Sequence, residues 1–238
     1  MLSLAKRKTR EYLIKRLKLP GRCHGLPYAL WSRLPTNIPL TVVDVGAHDG
    51  SFTKSIQHFC EVRRSVLIEP IPSKAALLRK EFLPPQHEVL ECVVAQEAGT
   101  LTLELNEALA TSSVLRINRE APELTQVHLG TPRYLDREAR TLDDIAAASR
   151  LEWIDLLKLD VQGFEDRILR GGRQALARTA LIWTEVSFVP LYENSCAFPD
   201  LHQFLREAGF SLIDLEEAFR APDGELLQAD ALYRRKAR

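Results

Sequence analysis

Asp44 stands two residues before Gly46, Gly50 follows four residues after that glycine, and Glu69 comes 25 positions after Asp44. These spacings suit a small charged ligand. A strand that opens through a glycine turn into a helix lets backbone approach the ligand closely and points free helix N–H groups at it. Here the strand is Thr41 to Val45, the turn is Gly46-Ala47-His48-Asp49-Gly50, and the helix starts near Ser51. Asp44, at the strand end, suits the ammonium group of an amino acid, and Glu69, closing the run Val66-Leu67-Ile68, can accept hydrogen bonds from ribose hydroxyls. The two together fit S-adenosylmethionine, with Asp44, Gly46, Ala47, His48, Gly50 and Glu69 in contact with it. Later in the chain, IDLLKLDVQGFE ends a strand in Asp160, and WTEVSF carries Glu185 near the end of the next. If those strands are adjacent, the two carboxylates share one crevice, where they can act as a general base or hold Mg²⁺. Lys158, inside the strand, reads as a structural partner for a carboxylate.

Alternating elements must position these groups. The helix after Gly50 should run to about Phe59, Ser73 to Phe82 is a helix capped by Ser73 and stopped at Pro84-Pro85, and Val89 to Ala95 is a third strand. GTLTLEL, from Gly99 to Leu105, alternates with period two and suggests a hairpin with Ser113 to Leu115. Ala121 to Arg140 reads as a loop, and Thr141 with Asp144 as a capping box opening a helix to Ala148. Ile154 to Leu159 and Leu181 to Val186 are strands four and five, with a helix from Phe164 to Leu169 between them. A helix from Leu201 to Ala208 ends at Gly209, and strands follow at Phe210 to Ile213 and Ala231 to Tyr233. This alternation predicts an α/β fold: a doubly wound, mostly parallel, Rossmann-like sheet with its binding crevice at the strands' C-terminal ends.

The chain of 238 residues suits one such domain, from residue 41 to 238, preceded by an arm and connector over residues 1–40. The arm is basic: between Met1 and Arg22 eight lysines and arginines face Glu11 alone, a net +7 in a chain whose overall charge is zero. Such an arm can lie on its own acidic body or make peripheral contact with an anionic membrane surface. No apolar run approaches the roughly 20 residues of a membrane span. Cys23, Cys60, Cys92 and Cys196 are widely spaced, with no zinc pattern, and read as reduced thiols of a cytoplasmic protein. His48 and Asp49 read as turn or ligand-contacting residues, not metal ligands.

The ordered set VVDVGAHDGSF, LIEP, TLDD, LLKLDVQGFE and TEVSFVPLYE resembles the FkbM-like family of S-adenosylmethionine-dependent methyltransferases, over roughly Thr41 to Leu215. The resemblance implies that Asp44, Gly46 and Gly50 hold the methionine part, Glu69 the ribose, and Asp160 the crevice near the sulfonium. It also implies O-methyl transfer to a hydroxyl of a sugar, glycolipid or natural product, with a small-molecule or glycan acceptor and no nucleic acid partner. His48 stands where many methyltransferases carry a middle glycine. A nicotinamide oxidoreductase shares the architecture, but the sequence lacks its GxGxxG turn. A non-catalytic module that keeps only the crevice is the other alternative.

Overall fold

The structure, a computed structural model, describes residues 24–107, 109–119 and 130–236. The predicted arm, Met1 to Arg22, lies outside the described residues, as does part of the predicted loop. In chain order the elements are α1 (Tyr28–Trp31), β1 (Leu40–Val45), α2 (Ser51–Gln57), β2 (Val62–Ile68), α3 (Pro72–Glu81), β3 (His87–Leu90), β4 (Val93–Ala95) and β5 (Gly99–Leu105). A short 3₁₀ turn, Leu109–Thr111, follows. Then come β6 (Arg133–Thr141), α4 (Leu142–Ala148), β7 (Ile154–Leu159), α5 (Glu165–Arg170), α6 (Arg173–Ala177), β8 (Thr179–Ser187), α7 (Phe198–Glu207), β9 (Phe210–Arg220) and β10 (Leu226–Arg235).

Seven strands form one sheet in the order β3-β2-β1-β7-β8-β10-β9. Neighbours are parallel from β3 to β8, while β10 runs antiparallel to both β8 and β9. The predicted doubly wound sheet is therefore present. Each buried strand feeds two cores because successive side chains alternate across it. Val43, Val45, Leu157, Leu159 and Ile182 pack on one side with Leu142, Ile145, Ile168, Leu176 and Leu205 of the helices. On the other side Val42, Leu156, Leu181 and Trp183 pack against Leu30 and Trp31 of α1 and Ile56 of α2.

Several predicted boundaries are corrected. The stretch before β1 is not a bare connector, because Leu26, Ala29, Leu30, Trp31 and Leu34 are all buried in the second core. Ser73 does not cap α3: the helix begins at Pro72, whose fixed φ and missing N–H suit the first turn, and Ile71 precedes it without a side-chain cap. The helix after Gly50 ends at Gln57, short of Phe59. The predicted third strand is two, since β3 pairs with β2 at one edge of the main sheet while β4 joins a separate sheet of order β4-β6-β5. Part of the predicted loop is β6, the antiparallel partner of β5, and Ser113 meets Glu104 only through an isolated bridge. Thr141 caps the helix, with Asp144 N donating to Thr141 Oγ1 at 3.0 Å, while the Asp144 carboxylate turns back to the Thr141 hydroxyl, which donates to its Oδ2 at 2.7 Å.

Two loops meet where β1 and β7 end. Asp160 N donates to Val45 O at 3.2 Å, and a Cβ placed on Gly46, whose φ is +75°, would lie 2.0 Å from Asp160 O. Only glycine meets both conditions. Gly46→Ala is expected to lose at least about 2 kcal/mol of stability, from left-handed strain plus collision with backbone. Urea unfolding tests this, and a loss below about 0.5 kcal/mol, the range of an ordinary surface change, would show that the loops part easily.

Candidate cofactor and active site

Parallel register sets the first interaction. Asp44 of β1 lies opposite Lys158 of β7, so both side chains project from the same face of the sheet. Lys158 Nζ lies 3.3 Å from Asp44 Oδ1 and 3.5 Å from Asp160 Oδ2, and donates to Gly46 O at 2.7 Å. Burial alone would lower the pKa of this ammonium, but Asp44 and Asp160 outweigh burial and raise it, so the lysine stays charged. The other Asp44 oxygen, Oδ2, accepts from Thr53 Oγ1 at 2.8 Å. Asp44 has no exposed surface and does not border the cavity described below. The expected contact between Asp44 and a ligand ammonium is thus replaced by an internal ion pair, and the reading of Lys158 as a carboxylate's partner describes the geometry.

Glu69 ties the glycine turn to the next strand. His48 N donates to its Oε2 at 2.8 Å and Ile71 N to its Oε1 at 2.9 Å. Burial raises the Glu69 pKa, and those two amides pull against it. A carboxylate has about four acceptor sites, so two such bonds leave capacity for hydroxyl donors. His48 itself sits at φ +48°, and burial, followed by the charge of Lys74, lowers its pKa and keeps the imidazole neutral at neutral pH.

A cavity of about 310 Å³ opens at the C-terminal ends of β1, β2 and β7. Among the sequence-predicted residues, Gly46, His48, Glu69 and Asp160 line it. Ala47 and Gly50 do not: Ala47 packs with Leu67, Leu78 and Phe82, and a Cβ on Gly50 would strike Phe82 at 2.3 Å. Their place is beneath the turn. Glu185 is also absent from the wall; it keeps some solvent exposure and accepts from Gln228 Nε2 at 2.8 Å. Its pKa is raised well above the usual carboxylate range by loss of hydration and then by the charges of Asp160, Glu165 and Asp230. Among the described residues, no three or more His, Cys, Asp or Glu side chains gather as a metal site.

The structure adds wall residues that the sequence reading missed. Leu26 and Pro27 come from the segment before β1, Val93 and Leu103 from the small sheet, and Asp230 from β10. Asp230 carried no local signal, since its place follows only from pairing opposite Glu185. Asp160 accepts from Gln162 Nε2 at 2.9 Å and keeps 46% of its side chain exposed, so its carboxylate remains open to a ligand.

Comparison with known proteins follows the same outline. The methyltransferase FkbM domain matches residues 44–212. The chain is 28% identical over 161 residues to the 2-O-methyltransferase NoeI of Sinorhizobium fredii, an alignment covering 64% of this chain and 65% of that protein. It is 26% identical over 218 residues to the methyltransferase sdnD of Sordaria araneosa, covering 81% and 80% of the two chains. A crystal structure of methyltransferase FkbM from Methylobacillus flagellatus superposes with a TM-score of 0.53 at 16% identity, covering 81% of this chain and 43% of that one. The chain thus spans under two thirds of both NoeI and the crystallised protein. The structural likeness concerns the fold.

Removing Lys158 would leave Asp44 buried beside its strand neighbours without a counter-charge. Lys158→Met is expected to cost about 3–5 kcal/mol, the usual effect of breaking a buried pair from one side. Adding Asp44→Asn should recover a large part of that loss. A double-mutant cycle by chemical denaturation reads the coupling, and simple additivity would mean that the pair contributes nothing as a pair.

Proposed function

Because the chain belongs to the FkbM methyltransferase family, we propose that it transfers the methyl group of S-adenosylmethionine to a hydroxyl of a small-molecule or glycan acceptor. The observation that carries this reading is a cavity in which Gly46, His48 and Glu69 from the turn side meet Asp160 from the end of β7. These residues fit the cofactor. Glu69, held by two amides, offers its remaining lone pairs to ribose hydroxyls, and Gly46, packed against the Asp160 backbone, borders the same cavity where the methionine part is proposed to lie. Ile71, Val93 and Leu103 supply an apolar wall for an adenine ring. When bound, the cofactor supplies an electrophilic methyl group on a sulfonium.

The chain's own residues then orient the acceptor and manage its proton. Asp160 is the candidate base, because its half-exposed carboxylate faces the cavity and Gln162 fixes one of its oxygens. Glu185 stands behind the wall as its expected partner: loss of hydration, then the charges of Asp160, Glu165 and Asp230, raise its pKa well above the usual carboxylate range. The Mg²⁺ alternative gains no support from the arrangement of ligating side chains among the described residues. NoeI is a 2-O-methyltransferase, which favours oxygen as the acceptor atom.

Calorimetry with S-adenosylmethionine and activity assays read as S-adenosylhomocysteine release test the assignment. Glu69→Ala is expected to weaken cofactor binding more than about tenfold, or about 1.4 kcal/mol. Asp160→Asn should abolish turnover while leaving most cofactor affinity. Unchanged affinity in the first variant would take Glu69 out of the site, and full activity in the second would remove Asp160 as the base.

The basic arm is proposed to hold the protein peripherally at an anionic membrane surface. Its net charge of +7 supports this, since each lysine or arginine near such a surface contributes about 1 kcal/mol. Among the described residues no helix is long and apolar enough to cross a membrane. Co-sedimentation with phosphatidylserine vesicles should fall steeply with added salt. Vesicle binding that survives deletion of residues 1–22 would leave the arm without this role.

A further inference from the structure

The loop from Asp160 to Phe164 contributes Asp160, Val161, Gln162 and Phe164 to the cavity wall, so its shape is part of the proposed site. That shape is unusual for its residues. Gln162 has φ +58° and Gly163 φ +92°, and a Cβ on Gly163 would lie 3.0 Å from Ser195 Cβ. Ser113 Oγ lies 2.9 Å from Gln162 O, and Tyr192 OH lies 2.9 Å from Gln162 Oε1. The third strut is Glu165. Its side chain is buried beneath the loop, at 5% exposure for the residue, and Val161 N donates to its Oε1 at 3.0 Å.

From this geometry we propose that Glu165 is a positioning residue: its ionised carboxylate holds the Asp160–Phe164 loop in the shape that binds the cofactor, and proton uptake by Glu165 releases that shape. The inference rests on the proposed cofactor reading and adds a residue that touches neither cofactor nor acceptor. A carboxylate can accept from several amides at once, whereas a carboxylic acid gives up acceptor capacity on its protonated oxygen and brings a donor in its place. The loop amides already act as donors, so a second donor among them is mismatched.

The titration falls in a useful range. Burial, opposed by the amides of Val161, Glu165 and Gly163 and assisted by Asp160, pushes the Glu165 carboxyl up to about 7. The charged and titratable groups acting on it or sharing its field are Asp160 on its own loop, Glu185 on β8, and Tyr192 and Cys196 on the segment after β8. A ligand that requires the ionised form binds more weakly as pH falls through that value. The free protein, in contrast, gains stability from this group as pH falls toward the unfolded carboxylate range, because its folded pKa is the higher one. Binding and stability should therefore move in opposite directions on acidification.

The test measures S-adenosylhomocysteine affinity by calorimetry at pH 8 and pH 6 for the wild type and for Glu165→Gln. The ligand's own amino group titrates identically in both titrations and cancels in the comparison. The wild type is expected to lose about tenfold more affinity than the variant over this range, the span of one group titrating near its middle. Equal pH dependence in the two proteins would overturn the proposal. Should the variant fail to fold, 5′-methylthioadenosine, which carries no group titrating between these values, is titrated into the wild type alone. Loss of affinity with a midpoint near 7 supports the proposal, and a flat profile overturns it. If S-adenosylhomocysteine fails to bind at pH 8, the cofactor reading itself has failed.

Discussion

The ion pair between Asp44 and Lys158 is the constraint on which the site depends. Both residues are buried at the middle of the sheet, where neither charge could remain alone without a large desolvation cost. Their pairing crosses from β1 to β7 and extends through Lys158 to the carbonyl of Gly46. One ammonium thereby fixes the relative heights of two strand ends and the entry of the glycine turn. Gly46 can then lie against Asp160 O, a contact that any side chain would prevent. Glu69 continues the chain of restraints by binding the His48 amide from the neighbouring strand. Of these buried charges, Asp44 faces only protein, while Lys158 and Glu69 also border the cavity.

This division explains which parts of the site were legible in the sequence. Glycine turns and strand-end acids have local signatures, so the positions of the turn, Glu69 and Asp160 at the strand ends that border the cavity follow from spacing alone. Whether an acid points to the cavity or to a lysine on the next strand is a matter of register, and register is tertiary. The pairing of Asp44 with Lys158 therefore follows only from the register of β1 and β7. Asp230 was invisible for the same reason: a single acid in an antiparallel strand has no local mark, and it reaches the wall only because β10 pairs with β8. The segment from Leu26 to Leu34 was hidden between Pro20-Gly21 and the Pro35 to Pro39 stretch, which read as connectors, although its apolar residues fill the second core.

The fold shows a similar split between local and distant causes. β1 and β7 are buried along their whole length, and their apolar runs gave their positions within a residue. The Thr141 cap was equally clear, since a hydroxyl and an acid three residues apart are a local device. VLECVVA contains no glycine or proline to mark its division, yet β3 stays with the main sheet while β4 leaves for the smaller one. β6 is the opposite case. Its charged sequence looks like loop because most of it is exposed or half-exposed, and it is a strand because β5 supplies its antiparallel ladder.

The outer walls bear on what the cavity can select. The family match begins at residue 44 and ends at 212, so Leu26, Pro27 and Asp230 line the cavity from outside it. In the sheet Asp230 lies two strands beyond the end of β7, roughly 10 Å farther from Glu69 than Asp160 is. Under the proposed reaction that direction leads away from the nucleoside and toward the acceptor. The charges along the wall are Asp49, Glu69, Asp160 and Asp230 against Lys158, whose ammonium is already engaged by Asp44 and Asp160. Such a wall attracts a cationic ligand and repels an anionic one. It also favours the positive charge before transfer over the dispersed charge of the transition state, which by itself opposes catalysis. Under the proposed reaction, with Asp160 as the proposed base, rate enhancement would then come mainly from orientation and from proton removal, and the restrained loops at Gly46 and Gln162 favour both.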